Sequence, residues 1–363
     1  MKILVTGACG FVGYSIAQAI RGAWPDVTLV GLDNLSRRGA EQNIASLEGL
    51  GVSFTHGDIR SQADCEALDR VDYVVDAAAN PSVLAGADGV SSSRQLLDVN
   101  LVGTLNLLEK CRRDHAGFVL LSTSRVYGIE PLTALPLTVR GEAFSLDASA
   151  DLPEGVGPGG IDESFTTQPP VSLYGSSKLA AEQVALEYHY AFGFPVWINR
   201  CGVMAGEGQL GHPGQGIFSF WIHAYLAGRP LKYIGFGGHG YQVRDCLHPH
   251  DLAELVMLQI RDGGKDKQRV QNVSGGMASA MSLADLNRWC GEHLGPHAAI
   301  EASAEDRPYD LPWVVLDANL AQRQWDWTPR IGPQEVLPRI AEFAHGNPDW
   351  LARCGVTLPR RAA

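Results

Sequence analysis

A chain of 363 residues, 45% hydrophobic and 19% charged, has room for one large globular domain or two intimate ones. Its net charge of −11 gives no support for a nucleic-acid partner, and a chain this acidic must gather arginines or backbone N–H groups locally to hold an anionic ligand. No apolar run reaches transmembrane length, the start shows no signal-peptide pattern, and seven scattered cysteines lack any Cys-x-x-Cys spacing, so reduced thiols, a cytoplasmic location, no membrane contact and no metal site are expected.

Lys2-Ile-Leu-Val-Thr6 reads as a short buried parallel strand running into Gly7. Gly7, Gly10 and Gly13 form a glycine-rich turn, and Tyr14 to Arg21 has helical periodicity. Val27 to Leu32 is a second strand, ending at Asp33. Strand, glycine turn, helix, strand and acidic residue together make a βαβ dinucleotide-binding unit. A pyrophosphate would rest on the helix N-terminus, against the backbone of Gly10, Phe11 and Val12. Asp33 lies twenty residues past Gly13, the distance expected of a carboxylate that binds a ribose 2′-hydroxyl. It would repel a 2′-phosphate, which favours NAD over NADP; Arg37 and Arg38 nearby argue the other way.

The alternation continues. Val52 to His56 is a third strand leading to Gly57-Asp58-Ile59, where Asp58 is either an acceptor for an adenine amino group or the N-cap of a helix from Ser61 onward. Asp72 to Asp76 is a fourth strand. It runs into Ala77, Ala78, Ala79, Asn80 and Pro81, residues small enough to let a cofactor approach the backbone. A helix from Leu96 to Cys111 carries Asn100 and Asn106. A fifth strand, Phe118 to Leu121, ends in the hydroxyl-rich Ser122-Thr123-Ser124-Arg125-Val126-Tyr127-Gly128, where parallel sheets bind ligands.

Tyr174-Gly-Ser-Ser-Lys178 opens the next helix, with Tyr174 and Lys178 on one face. A free phenol titrates near pH ~10, and a neighbouring ammonium would lower that value. The pair could then exchange a proton with a hydroxyl. The bare spacing also suits an ordinary exposed helix; the dinucleotide unit upstream favours chemistry. Val196 to Asn199 is a sixth strand. Residues 129–161 are too long for an ordinary loop and read as a flap or hairpin over the site, or as a plain surface insertion. Past Arg200 the alternation stops. Ile217 to Ala227 and Asp251 to Ile260 read as helices, Gln242 to His248 and Val270 to Ser274 as strands, and Ser282-Leu-Ala-Asp285 as a capping box. The pair His248 and His250 is too isolated to suggest a metal. The chain from Asn347 reads as a tail.

Together, Thr6 to Gly13, Asp33-Asn-Leu-Ser36, Gly57-Asp58, Asn100, Thr123 to Gly128, Tyr174 to Lys178, Val243-Arg-Asp245 and Arg307 resemble the extended short-chain dehydrogenase/reductase family of nucleotide-sugar epimerases and dehydratases. The resemblance implies a Rossmann-type doubly wound parallel α/β sheet with a smaller C-terminal substrate region. On that basis, residues 1–202, completed by 243–276, form the NAD-binding part. Residues 203–242 and 277–346 form the nucleotide-sugar part, and 347–363 the tail. It implies Thr123, Tyr174 and Lys178 as catalytic residues, Thr123 orienting the reacting sugar hydroxyl and Lys178 also binding the nicotinamide ribose. Gly7, Gly10, Phe11, Val12, Gly13, Asp33, Asn34, Asp58, Ile59, Ala77, Ala78, Ala79 and Asn100 join Tyr174 and Lys178 around NAD. Pro81, Ser124, Arg125, Arg200, Gln215, Arg244 and Arg307 are implied at the substrate, Arg244 and Arg307 on its diphosphate.

Within the family, Asp33 to Ala40, His56 to Arg60, Ser122 to Gly128 and Gln242 to His248 look most like the CDP-paratose 2-epimerases. Val203 stands where many UDP-sugar epimerases have Asn, and Leu173 where Pro commonly precedes the Tyr. Family dehydratases carry Thr-Asp-Glu where this chain has Thr123-Ser124-Arg125, and the decarboxylases place Glu at Arg125. The resemblance therefore implies an epimerase working through a keto sugar. A UDP-sugar 4-epimerase, a dehydratase or decarboxylase, and a non-catalytic NAD-binding sensor or scaffold are the alternatives. A homodimer through paired helices is also implied.

Overall fold

Seven parallel strands form the centre of the computed structural model, which describes residues 1–89, 91–212, 214–264 and 266–356. In chain order they are β1 (Lys2–Thr6), β2 (Thr28–Asp33), β3 (Val52–His56), β4 (Tyr73–Asp76), β5 (Gly117–Thr123), β6 (Val196–Cys201) and β7 (Val270–Val273). Their spatial order is β7-β6-β5-β4-β1-β2-β3. The winding reverses between β1 and β4, which opens a crevice beyond the C-terminal ends of those strands.

The helices that bear on the site are α1 (Phe11–Ala23), α2 (Gly103–Asp114), α3 (Ser172–Phe192), α4 (Ile217–Leu226) and α5 (Pro249–Asp262). Side chains alternate across each strand, so both faces of the sheet are apolar and both are covered. Ile3, Val5, Val75 and Val119 pack with Ile16 and Ile20 of α1 and with Leu252, Leu255 and Val256 of α5. Leu4, Val74, Phe118, Leu120 and Ile198 pack on the opposite face with Leu107, Leu108 and Cys111 of α2 and with Ala181 and Ala185 of α3. The helix expected from Leu96 is interrupted: a short helix Ser93–Leu97 passes through a π turn, Asp98–Val102, before α2 begins. Such turns are rare and concentrate at functional sites.

A smaller lobe sits over the crevice. The strand Val243–Leu247, expected in the sheet-completing segment 243–276, instead forms the spine of a second sheet. It pairs in parallel with Val203–Met204 and Trp313–Val314, and antiparallel with Ala280–Ser282. Of that segment's two strands only β7 joins the large sheet. Phe218, Trp221 and Ile222 of α4 pack with Leu286, Cys290, Val336, Leu337 and Ile340. The Ser282–Asp285 capping box starts the helix Leu283–Leu294.

Two expectations are corrected. Residues 129–161 do carry a hairpin, Leu137–Arg140 with Ala143–Leu146, but none of them lines the crevice. Leu132, Leu135 and Ile161 pack instead with Leu311 and Trp313 of the second lobe, and Phe144 N donates to Tyr241 O at 2.9 Å. The expected tail is packed as far as it is described: Trp350, Leu351 and Val356 are buried, and Trp350 Nε1 donates to Gln209 O at 2.9 Å. Residues 357–363 lie outside the described residues. All seven cysteines are free. Among the described residues no helix is long and apolar enough to cross a membrane.

Candidate active site

The crevice is a cleft of about 720 Å³, in the upper part of the usual range for small-molecule sites, roughly 300–1,000 Å³. Its floor is Gly7, Gly10, Phe11, Val12 and Gly13, with Asp33, Asn34, Ile59 and Ala77 to Pro81 along one wall. Ser122 to Arg125 and Tyr174 stand at its middle. Gln215 to Phe218, Arg244 and Arg307 to Asp310 come from the second lobe.

The floor is built for close approach. Gly7 has φ +60°, and a Cβ there would meet Ala77 O at 2.9 Å; one on Gly13 would meet Gly7 O at 2.2 Å. Gly10 is the N-cap of α1 and no side chain caps that helix. Its first-turn N–H groups therefore remain for an anion at the positive end of the helix dipole. Asp33 is held by two backbone donors, Cys9 N to Oδ2 at 2.9 Å and Leu35 N to Oδ1 at 2.8 Å. Arg37 lines the cleft but is tied across to the second lobe, Nη2 to Leu210 O at 2.6 Å and Nη1 to Gln215 Oε1 at 3.2 Å.

At the middle of the cleft Tyr174 is 7% exposed. Burial raises its phenol pKa, while a hydrogen bond with Thr123 and the charge of Arg125 oppose the rise. Thr123 Oγ1 also accepts from Arg125 N at 3.2 Å, which fixes the turn after β5. Lys178 is 1% exposed, one helical turn behind Tyr174, and does not line the cleft. Burial lowers its pKa, with Asp76 and Glu182 acting against that.

Arg125, Arg244 and Arg307 converge on the far side with Asp310. Arg244 Nη2 donates to Asp310 Oδ1 at 2.9 Å, and its Nη1 to Val243 O at 2.7 Å. Asp310 thus supplies Arg244 with an acidic partner from 66 residues away. Pro81, Ser124 and Gln215 also line the cleft.

Arg200, expected at the substrate, lies elsewhere. It is buried beneath the sheet end, in an ion pair with Glu182 of α3 at 2.7 Å and with its guanidinium over the Tyr127 ring. Asn100, expected at the cofactor, lies under the cleft wall. Its Oδ1 accepts from Asn80 N at 2.8 Å, and its Nδ2 donates to Asn80 O at 3.1 Å and Ser177 Oγ at 3.0 Å. It braces the Ala77–Asn80 wall against α3. Asp58 is not an N-cap: Ser61 caps the helix Gln62–Ala67. Asp58 instead accepts from Asn34 Nδ2 at 2.8 Å and from Arg60, whose hydrogen bonds bring its carboxyl down to about 2. Sequence reasoning missed Gln209, Gln242, Ser282, Tyr309 and Asp310, which all line the cleft. Tyr309 and Asp310, two and three residues past Arg307, and Gln242, two before Arg244, stood close enough to an expected site residue to be found.

The chain matches the model of the NAD dependent epimerase/dehydratase family over residues 3–274. It is 29% identical over 352 residues to the CDP-paratose 2-epimerase of Salmonella typhi, covering 94% of this chain and 99% of that one. Among solved structures it is similar to the UDP-glucose 4-epimerase of Thermus thermophilus in complex with NAD: 26% identity, TM-score 0.75, 95% of this chain and 99% of that one. It is similar also to a double-mutant dTDP-glucose 4,6-dehydratase from Streptomyces venezuelae with NAD bound, at 26% identity and TM-score 0.76, covering 98% and 100%. The parallel seven-stranded sheet, the glycine floor with Asp33 and the family match agree: the chain belongs to the NAD-dependent epimerase/dehydratase family of nucleotide-sugar enzymes.

Proposed function

We propose that the protein epimerises a nucleotide-diphosphate sugar by transient oxidation of one ring carbon, and that its substrate and reaction resemble those of the CDP-paratose 2-epimerases. The observation that carries the choice of epimerase over dehydratase is the set of acids at the site. Among the described residues lining the cleft the carboxylates are Asp33, at the far end of the glycine floor, and Asp310, ion-paired with Arg244. Eliminating water from a sugar calls for an acid and a base beside the reacting carbons. Beside Tyr174 this site offers Thr123, Ser124 and Arg125.

The glycine floor, the uncapped α1 N-terminus and Asp33 fit a dinucleotide, and bound NAD would supply an acceptor and donor of hydride. Gly10, Phe11 and Val12 would hold its pyrophosphate, Asp33 its adenosine ribose, and Lys178 its nicotinamide ribose. Tyr174 takes the proton of the sugar hydroxyl and later returns it, with Thr123 fixing that hydroxyl. Arg244 and Arg307 grip the diphosphate, and this binding energy keeps the keto sugar in place while its ring turns over. The 29% identity to a CDP-paratose 2-epimerase supports position C2. The active unit in this reading is a homodimer. The test is epimerisation of CDP-linked sugars in deuterated water. Inversion with no deuterium on the ring is expected, and Tyr174→Phe should abolish it. Solvent deuterium at the inverted carbon would overturn the oxidation mechanism.

A further inference from the structure

Arg37 stands on the NAD side of the cleft, four residues past Asp33, yet its guanidinium reaches across to the loop that leads into α4. Nη2 donates to Leu210 O at 2.6 Å and Nη1 to Gln215 Oε1 at 3.2 Å. The loop that carries Arg37 is itself set, by Leu35 N to Asp33 Oδ1 at 2.8 Å and by Ala40 N to Arg37 O at 3.0 Å. The facing loop is anchored at both of its ends. Leu210 is buried in the core that holds Cys9 and Ala40, and Gln209 O accepts from Trp350 Nε1 at 2.9 Å. Gly216 has φ +72° and lies so close to the Gln209 amide that a Cβ would meet it at 3.0 Å. Between these anchors His212 and Gln215 exchange two backbone hydrogen bonds, at 2.9 and 2.8 Å. Leu210, Gly214, Gln215 and Gly216 all line the cleft.

We propose that Arg37 is a positioning residue: its guanidinium clasps the 210–216 loop across the cleft and orients Gln215 to donate to an oxygen of the substrate's diphosphate. The inference rests on the reading of that ligand as a nucleotide-diphosphate sugar. The orientation follows from the donor chemistry. A guanidinium offers donors and no acceptor, so the Gln215 atom that faces Arg37 must be the amide oxygen. The amide nitrogen, with its two N–H donors, is turned the other way in a side chain that lines the cleft. A cation on the oxygen also polarises the amide and makes its N–H groups better donors. Both acceptors of Arg37 are uncharged carbonyl oxygens on one loop, and the planar fork of an arginine meets two such points at once where a lysine ammonium is a point charge. One residue thus ties the loop that begins at Asp33 to the loop that opens α4.

Two measurements test this. In the first, CDP and UDP are titrated by calorimetry, with NAD in excess, into wild type, Arg37→Met, Gln215→Leu and the protein carrying both changes. Each single change should weaken binding about tenfold. The double change should cost about the same factor, well short of the roughly hundredfold product expected of independent residues. Arg37→Lys should fall between wild type and Arg37→Met, and it replaces Arg37→Met if that variant does not fold. Unchanged affinity in Arg37→Met would overturn the proposal, as would losses that multiply in the double variant. The second measurement is amide hydrogen exchange with no nucleotide present. In Arg37→Met the amides of Gly211, Gln215 and Gly216 should exchange severalfold faster while those of β1 and α1 stay as in wild type. Equal exchange in the two proteins would show that Arg37 does not hold the loop and would overturn the proposal on its own. If wild type bound neither CDP nor UDP, the substrate reading would fail, and the exchange rates would still decide the clasp.

Discussion

Glu182 of α3 and Arg200 of β6 meet in an ion pair, Oε2 to Nη2 at 2.7 Å, that solvent barely reaches. Glu182 also accepts from Ser122 Oγ on β5, so one carboxylate joins the catalytic helix to two adjacent strands. Burial alone would lower the Arg200 pKa; the Glu182 charge and hydrogen bonds outweigh it and raise it. Removing one member of such a pair leaves the other charged and unsolvated. Glu182→Ala should therefore cost about 3–5 kcal/mol in denaturant unfolding. A loss below about 1 kcal/mol, the size expected of a surface pair, would show that the pair is solvated in solution.

Cofactor choice turns on Asp33. Its carboxylate is fixed by Cys9 N and Leu35 N at the tip of β2, and Arg37, the nearest candidate for a 2′-phosphate, is engaged with Leu210 and Gln215. NAD should bind at least tenfold more tightly than NADP, a difference of about 1.4 kcal/mol or more. Equal dissociation constants by calorimetry would mean that Arg37 leaves the second lobe to meet a phosphate.

Arg244 is the residue whose loss should separate the two ligands. It lies on the second lobe, away from the glycine floor, and donates to Val243 O and Asp310 Oδ1. A charge-assisted contact contributes about 1.5–3 kcal/mol. Arg244→Ala should weaken CDP or UDP binding by about one to two orders of magnitude while the NAD content of the purified protein stays the same. Asp310→Asn should act in the opposite direction, because it releases Arg244 for the diphosphate. Loss of NAD with unchanged nucleotide-diphosphate affinity in Arg244→Ala would exchange the two assignments.

The parts of this fold that could be read from sequence are those written in local periodicity. The run Lys2 to Asp33 carries its strand, turn, helix and strand within one short window, and Tyr174 and Lys178 share a helix face by spacing alone. What could not be read were partners. Arg200 ends a strand in the sequence as a substrate arginine would, yet its carboxylate is eighteen residues back on a helix that only the sheet brings underneath it. Asp310 meets Arg244 across 66 residues for the same reason. The π turn at Asp98–Val102 leaves no mark on the pattern of apolar residues. It becomes visible only through Asn100, which must turn inward to reach Asn80 and Ser177. The segment 347–356 has no clear periodicity, with Asn347, Asp349 and Arg353 interspersed among apolar residues, and Trp350, Leu351 and Val356 anchor it.

Assembly is the last prediction, and it follows from what the sheet leaves uncovered. Leu108, Ala181 and Ala185 are fully buried against the sheet, and Leu101 and Val184 pack on the same cluster. These five apolar positions are therefore explained within one chain. Leu105 is not: it is 37% exposed, with Val102 at 36% a turn before it. On the neighbouring α3, Tyr190 and Phe192 are 75% and 50% exposed, and Arg112 of α2 covers part of the Phe192 ring at 5.3 Å. The two helices lie side by side, joined by Tyr188 Oη donating to Glu109, so their apolar residues can form one strip. A strip of this kind is self-complementary about a two-fold axis. Light scattering at micromolar concentration should give twice the chain mass of 39.1 kDa, and Leu105→Lys should reduce it toward one chain. A wild-type protein at the single-chain mass would leave the strip facing water and refute the dimer.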